Sequence, residues 1–150
     1  MKKNQKYLAV RNKDKGGKLA NYFVGVSNNL VPDMGVIREG NERVLRARLE
    51  DAAFFWEEDR KIPLVSYVDR LKNVTYQEKL GSVYDKVMLT RKLALWFCEK
   101  YGMKNIASLV DRAAYLSKAD LVTSMVFEFT DLQGVMGREY AKCAGEDPRV

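Results

Sequence analysis

The sequence predicts a mostly α-helical protein, with an N-terminal β-hairpin followed by a bundle of roughly six helices. Within residues 5–27, two β-rich runs, QKYLAV and NYFVGV, flank DKGG, a string with the glycines that a tight turn needs. From Glu39 onward, apolar residues recur at spacings of three and four, which is the period of an amphipathic helix. At 150 residues, the chain is long enough to bury a core as one domain.

Three consecutive aromatic residues mark the first predicted helix, which covers residues 40–60. Its apolar face is formed by Leu45, Leu49, Ala52 and Trp56. Because successive helical residues point about 100° apart, Trp56 is expected in the core, Phe55 at its boundary and Phe54 on the opposite side. Either a second layer of the same domain covers Phe54, or another domain or subunit does. Phe54 and Phe55 are therefore candidate interface residues.

Local start and stop signals predict the other helices. Pro63 is suited to the first turn of a second helix. Ser82 and Asp85 have the spacing of a capping box for a long helix that runs to about residue 100 and ends at Gly102. Further helices are expected over residues 105–116 and 118–129, and over a last stretch from a Thr130-x-x-Gln133 cap to about Cys143.

The pattern divides the chain into three parts. Residues 1–28 form a basic β-hairpin segment that belongs to a preceding domain, because a lone hairpin is marginally stable in water. Residues 29–38 form a linker, and residues 39–150 form a helical domain that is truncated at its C-terminus. We therefore expect a fragment of a longer polypeptide.

Composition excludes several classes of function. The chain has no histidine, which removes the usual general base at neutral pH and the commonest zinc ligand. Hydrolases built on Ser-His-Asp or Cys-His are thereby excluded from this chain alone. Cys98 and Cys143 are far apart and show no metal-binding spacing, so both are expected as reduced thiols of a cytoplasmic protein. No window approaches a membrane span, and the short apolar run Tyr7–Val10 predicts no signal peptide.

The net charge of +6 falls on the N-terminal fifth of the chain. Residues 1–28 hold seven basic residues and a single acid, Asp14, whereas residues 29–150 are neutral. This asymmetry indicates either a polyanionic partner such as RNA or a solubilising edge hairpin whose lysines block edge-to-edge pairing. The candidate RNA-binding residues are Lys2, Lys3, Lys6, Arg11, Lys13, Lys15 and Lys18, together with Arg43, Arg46 and Arg48 on the first helix.

Other features of these segments leave alternatives open. The three arginines of the first helix could instead pair with Glu42, Glu50 and Asp51 along the helix. Tyr7, Tyr22 and Phe23 offer faces on which unpaired bases stack, although strand alternation turns some of them inward.

Three long strings resemble the β subunit of bacterial glycyl-tRNA synthetase. They are GNERVLRARLEDAAFFWEED at 40–59, YQEKLGSVYDK at 76–86 and KADLVTSMVFEFTDLQGVMGREYA at 118–141, preceded by NQKYL at 4–8 and VSN at 26–28. The resemblance implies an internal piece of a large β subunit that serves tRNA binding or scaffolding. It also implies an α subunit, which activates glycine, tRNA for glycine and the remaining domains of the β subunit as partners. ATP and magnesium would serve the complete enzyme, and no catalytic site or cofactor is expected in this chain.

The helical part also resembles a degenerate HD-type domain. In functional members, a histidine on one helix and a His-Asp pair on a later helix bind metal for phosphate-ester hydrolysis. Here Lys86 stands where the first histidine falls, and Ala119-Asp120 stands where His-Asp falls. Asp120 alone is too few ligands for a catalytic metal, so we interpret it as a helix cap after Ser117 and Lys118. The alternatives to the synthetase reading are a free-standing HD-family phosphohydrolase and a helical protein-interaction module.

Overall fold

Two compact units make up the chain, residues 1–50 and 51–150. The computed structural model describes residues 6–28 and 32–150, and for Lys15 the backbone alone. The described residues form a β-hairpin followed by six α-helices, so the predicted fold class is confirmed. The expected division into residues 1–28, 29–38 and 39–150, and the HD-like character of the helical part, stay predictions.

The hairpin of the first unit consists of strands β1 (Leu8–Asn12) and β2 (Lys18–Val24). The strands are antiparallel, with a register shift between Ala9 and Arg11 that adds two residues to the β2 side. A 3₁₀ turn, Lys13–Lys15, leads to Gly16 and Gly17 at φ 64° and 74°. These left-handed conformations favour glycine, which explains the GG of the turn string.

Helix α1 (Met34–Asp59) is the longest helix and crosses the division between the units. It begins five residues before Glu39, so the predicted helix start was wrong. The side chain of Asp33 accepts a hydrogen bond of 2.7 Å from the amide of Gly35, and thereby satisfies a backbone donor that the helix leaves unpaired at its start.

Five further helices belong to the second unit. They are α2 (Ser66–Arg70), α3 (Val83–Lys100), α4 (Ala107–Leu116), α5 (Ser124–Glu128) and α6 (Val135–Cys143). Two short antiparallel strands, β3 (Thr75–Gln77) and β4 (Gly81–Ser82), precede α3. Pro63 starts a turn rather than a helix, since its carbonyl accepts from the amide of Ser66, where α2 begins.

The capping signals predicted for α3 are confirmed. Ser82 Oγ accepts from the amide of Asp85, and the Asp85 carboxylate accepts from the amide of Ser82 at 2.8 Å. The Ser82 hydroxyl, which donates to the Asp85 carboxylate at 2.7 Å, and then the Ser82 amide hold the pKa of the Asp85 carboxyl below its usual range. At the other end of α3, Gly102 adopts the left-handed conformation that terminates helices.

Two helix predictions were wrong in detail. Residues 118–129 do not form one helix: a 3₁₀ turn, Ala119–Val122, is followed by Thr123 in extended conformation, and Thr123 caps α5. Residues 130–132 form a separate 3₁₀ turn, so the last helix has no Thr130 cap and begins at Val135. Gly134, at φ 78°, makes the bend between the two.

The core lies in the second unit. Its buried apolar residues include Val68 and Leu71 of the α2 region, Val87 of α3, Val126 of α5 and Tyr140 of α6. Both cysteines are free, with Cys98 buried and Cys143 exposed. Among the described residues, no helix is long and apolar enough to cross a membrane.

Candidate nucleic-acid interface

The hairpin presents its basic side chains to solvent. Lys6, Arg11, Lys13 and Lys18 are exposed. Arg11 donates from Nη1 to the carbonyl of Gly17 at 2.8 Å, which holds its guanidinium against the turn. The structure describes no ion pair for any of these four in residues 6–28 and 32–150. Lys2 and Lys3 lie outside the described residues, as does the side chain of Lys15.

The three aromatic residues of the hairpin have different surroundings. Tyr7 and Phe23 are half-buried, with ring centroids 4.9 Å apart, and the hydroxyl of Tyr7 donates to Asn41 of α1 at 2.8 Å. These contacts join the hairpin to the first part of α1. Tyr22, in contrast, is 70% exposed, so its ring is open to a stacking ligand.

An open groove of about 1070 Å³ lies between β2 and the start of α1. Its lining combines two cations, an aromatic ring and amides: Lys6, Arg38, Tyr22, Asn28 and Asn41 are among its residues. Arg38 also forms a long surface ion pair with Glu42, at 3.8 Å. Cations, rings and amides are the groups that contact phosphates and unpaired bases.

The three arginines of α1 that were predicted to bind RNA do not form one cluster. Arg43 and Arg46 are exposed and three residues apart, so they lie on the same side of the helix. Arg48 is half-buried and points about 200° away from Arg46. The structure therefore brings two of the three predicted arginines together.

The aromatic run of α1 divides as predicted at its two ends. Trp56 stacks on Tyr140 with centroids 5.1 Å apart and packs against the core, as does Phe55, whose ring meets Phe129 edge-on at 6.4 Å. Phe54 is 60% exposed, so no layer of the described chain covers its ring. Leu49 is exposed as well, which makes the predicted core position of Leu49 wrong.

Sequence analysis missed Asp59, the last residue of α1. Its carboxylate is buried and accepts hydrogen bonds from the amides of Ser124 at 2.8 Å and Met125 at 2.9 Å, and from the Tyr140 hydroxyl at 2.8 Å. The Tyr67 hydroxyl donates to its backbone carbonyl at 3.1 Å. Burial is the main cause that raises the pKa of both tyrosines, followed by the charge of Asp59 for Tyr67 and the hydrogen bond to Asp59 for Tyr140, so both stay protonated donors. No local signal reveals this role, because most partners are more than sixty residues away.

Asp120 is a cap, but of a different helix from the one expected. Its buried carboxylate accepts from the amides of Gly134 at 2.5 Å and Gly137 at 2.9 Å, at the start of α6. A Cβ atom at Gly137 would stand 3.1 Å from the Asp120 carboxyl carbon. The two glycines of the string LQGVMG were the available signal, because a side chain at Gly137 would crowd the Asp120 carboxylate and Gly134 has a positive φ of 78°.

The donor set does not fit a metal ion. Both buried carboxylates, of Asp59 and Asp120, are engaged by backbone amides, and no group of three potential ligands occurs among the described residues. Lys86, which the predicted HD resemblance places at its first histidine, lies with Nζ 3.9 Å from the centre of the Tyr76 ring.

Comparison with known proteins identifies the family. The family model described as glycyl-tRNA synthetase beta subunit matches residues 1–150. Relatives named glycine–tRNA ligase beta subunit are 54% identical in Syntrophotalea carbinolica, 50% in Desulfitobacterium hafniense and 48% in Lactobacillus helveticus, each over the whole of this chain. The chain spans 21–22% of these relatives' length. The chain belongs to the glycyl-tRNA synthetase beta subunit family.

Proposed function

We propose that this chain is a tRNA-contacting part of a glycine–tRNA ligase β subunit, and that its hairpin makes the contact. The observation that supports this most directly is the exposed charge of the hairpin. Four basic side chains, those of Lys6, Arg11, Lys13 and Lys18, face solvent beside one acid, Asp14. Lysine and arginine neutralise phosphates and release counterions, which supplies much of the affinity for nucleic acid.

The groove beside β2 offers groups that can contact bases and sugars as well as phosphates. Tyr22 has a free ring face, and base–aromatic stacking contributes about 1–3 kcal/mol per base. Asn28 and Asn41 line the same groove and carry amides that hydrogen-bond base edges or sugar hydroxyls. Arg43 and Arg46 lie on α1 as further phosphate contacts of the proposed interface.

The complete enzyme would join glycine to its tRNA in the cytoplasm, with ATP and magnesium. In this proposal the α subunit activates glycine, and the α subunit, tRNA for glycine and the rest of the β subunit are the partners of this chain. The engagement of both buried carboxylates by amides supports a contact or scaffold role over phosphohydrolysis. Phe54 is the proposed contact residue for a neighbouring domain or subunit, with Phe55 at its edge.

Neutralising the hairpin tests the proposal. Lys6, Arg11, Lys13 and Lys18 are all replaced by Gln, and the dissociation constant for tRNA is measured by filter binding at a fixed moderate salt concentration. We expect affinity to fall by about tenfold or more, because each lost phosphate contact removes counterion release.

A matched variant controls for net charge. Lys79, Lys92, Lys104 and Lys142, all exposed in the second unit, are replaced by Gln in the same number. We expect this variant to lose less than about threefold in affinity. Equal losses of affinity in the two variants would show that tRNA binding depends only on the net charge of the chain. That result would overturn the placement of the interface on the hairpin.

A further inference from the structure

Helix α3 has a second apolar face that the described residues do not cover. Leu89, Leu93 and Trp96 are 63%, 55% and 48% exposed, whereas Val87 and Cys98 of the same helix are buried. At about 100° per residue, the exposed and buried sets lie on opposite sides of α3. We call the exposed set, Leu89, Leu93 and Trp96, the outer stripe.

Lysines flank the outer stripe. Lys100 lies with Nζ 4.5 Å from the centre of the Trp96 ring, and Lys86 lies over the Tyr76 ring. Lys92 has no recorded ion pair among residues 6–28 and 32–150. Among the carboxylates of α3, Asp85 is engaged in the capping box and Glu99 is exposed. The surface is therefore apolar along its middle and net positive at its edges, where the three lysines of α3 outnumber its two carboxylates, Asp85 and Glu99.

Neighbouring elements do not cancel this charge. Asp111 of α4 is held by Arg91, with hydrogen bonds of 2.8 and 2.6 Å, and the Arg91 guanidinium lies over the Tyr115 ring. Because Arg91 and Asp111 neutralise each other, Asp111 does not pair with the lysines at the edges of the outer stripe.

We propose that the outer stripe docks an amphipathic helix of a partner protein whose apolar face is flanked by carboxylates. The spacing of Leu89, Leu93 and Trp96, followed by Lys100, matches the i, i+4, i+7 anchors of helix–helix docking and extends about 16 Å along α3. Carboxylate flanks on the partner would meet Lys86, Lys92 and Lys100, and charge complementarity of this kind selects among partners.

The same observations disfavour other occupants. A second copy of this chain would bring like-charged lysines together across the contact. Unpaired bases would stack on Trp96, but Leu89 and Leu93 offer neither a ring nor a hydrogen-bonding group. A row of large exposed aliphatic side chains is typical of a surface that binds another protein.

Two stapled helical peptides test the proposal. They share one leucine face and differ in their flanks, which are glutamate in one and lysine in the other. The chain carries Trp56→Phe, which leaves Trp96 as its single tryptophan. We expect the acidic peptide to shift Trp96 emission to the blue and to bind at least about tenfold more tightly than the basic one.

Two exposed leucines provide matched variants. Leu93→Ser removes the centre of the outer stripe, and Leu80→Ser removes a leucine that is 63% exposed and lies outside it. We expect Leu93→Ser to weaken binding of the acidic peptide about tenfold or more, and Leu80→Ser to leave it unchanged. Both variants should keep the thermal midpoint, because neither leucine is buried.

Several results would overturn the proposal. They are equal affinity for the two peptides, no saturable binding below about 1 mM, and equal effects of the two leucine variants. Displacement of the acidic peptide by a single-stranded RNA would assign the surface to nucleic acid instead. Dimerisation of the chain that Leu93→Ser abolishes would assign it to self-association.

Discussion

The two units of this chain differ in what their residues do. In residues 6–28 and 32–50 no side chain that the structure describes is buried, whereas residues 51–150 contain every buried side chain among those described. The net charge, in contrast, lies in the first unit. Residues 1–50 hold eleven basic and five acidic residues, and residues 51–150 hold fifteen of each. The described part of the first unit therefore offers a basic surface with no buried side chain, and the second unit contains the core and has no net charge.

The two units also differ in their buried and part-buried charged groups. The second unit contains two buried carboxylates, Asp59 and Asp120, and each is satisfied by the start of a neighbouring helix. Its ion pairs Arg91–Asp111 and Arg112–Glu146 are part-buried and doubly hydrogen-bonded. Stability should therefore respond to changes in the second unit, and RNA affinity to changes in the first.

The largest effect on stability is expected at Asp59. Asp59→Ala leaves the amides of Ser124 and Met125 and the hydroxyl of Tyr140 without their acceptor in a buried place. We expect the free energy of unfolding to fall by roughly 3–5 kcal/mol, since each unsatisfied buried donor costs about 1–3 kcal/mol. Urea unfolding followed by circular dichroism measures it.

Glu57→Ala is the control for Asp59→Ala. Glu57 lies on the same helix, is exposed and forms a surface ion pair with Arg60 at 3.7 Å. Its loss should change the free energy of unfolding by less than about 0.5 kcal/mol. Similar values for the two variants would mean that Asp59 does not link α1 to α5.

Two neighbouring aromatic residues give the next largest difference. Trp56→Ser removes a ring that stacks on Tyr140 and packs against the core, and should cost about 3 kcal/mol. Phe54→Ser removes an exposed ring and should leave the thermal midpoint nearly unchanged. In a longer β subunit, Phe54→Ser should weaken assembly with the neighbouring domains or the α subunit. Equal loss of stability in the two variants would show that both rings pack in a core. It would therefore contradict the proposal that Phe54 contacts a neighbouring domain or subunit.

A smaller effect depends on pH. Hydrogen bonds from Arg91 hold the pKa of the Asp111 carboxyl below its usual range. A lowered folded-state pKa contributes stability that is present above the unfolded pKa, near 3.9 for aspartate, and is lost as the pH falls through the folded value. Asp111→Asn should therefore cost about 1 kcal/mol at pH 7, and the difference from the unchanged chain should shrink below about pH 4.

The matched control for this pH dependence is Asp69→Asn. Asp69 forms an exposed ion pair with Lys72 at 2.8 Å, and exposed pairs contribute little to stability. Urea midpoints across the acidic range measure both variants. If the cost of Asp111→Asn is the same at pH 3 as at pH 7, its charge is not what stabilises the α3–α4 pair.

The features predicted correctly from sequence depend on neighbouring residues. The capping box of Ser82 and Asp85 fixes the start of α3 through bonds across three residues, and the glycines of DKGG fix the hairpin turn. The placement of Phe54 on the side of α1 away from Trp56 follows from their angular separation on one helix, whereas its exposure in this chain was one of two open alternatives.

The features that sequence analysis missed depend on distant residues. Asp59 has its role only because folding brings Ser124 and Tyr140, 65 and 81 residues away, to the end of α1. The break at Thr123 arises where its hydroxyl accepts from the amide of Val126, and helical periodicity does not show it. Leu49 fits the apolar stripe by spacing, yet it lies in the unit without buried side chains.

The central claim is that RNA contact resides in the basic hairpin of the first unit. The most direct test is the salt dependence of tRNA affinity for the unchanged chain and for the variant with Gln at Lys6, Arg11, Lys13 and Lys18. The slope of log K against log salt should become less negative by about 3, since each phosphate contact contributes about 0.7–0.9. An unchanged slope in the hairpin variant would contradict the claim.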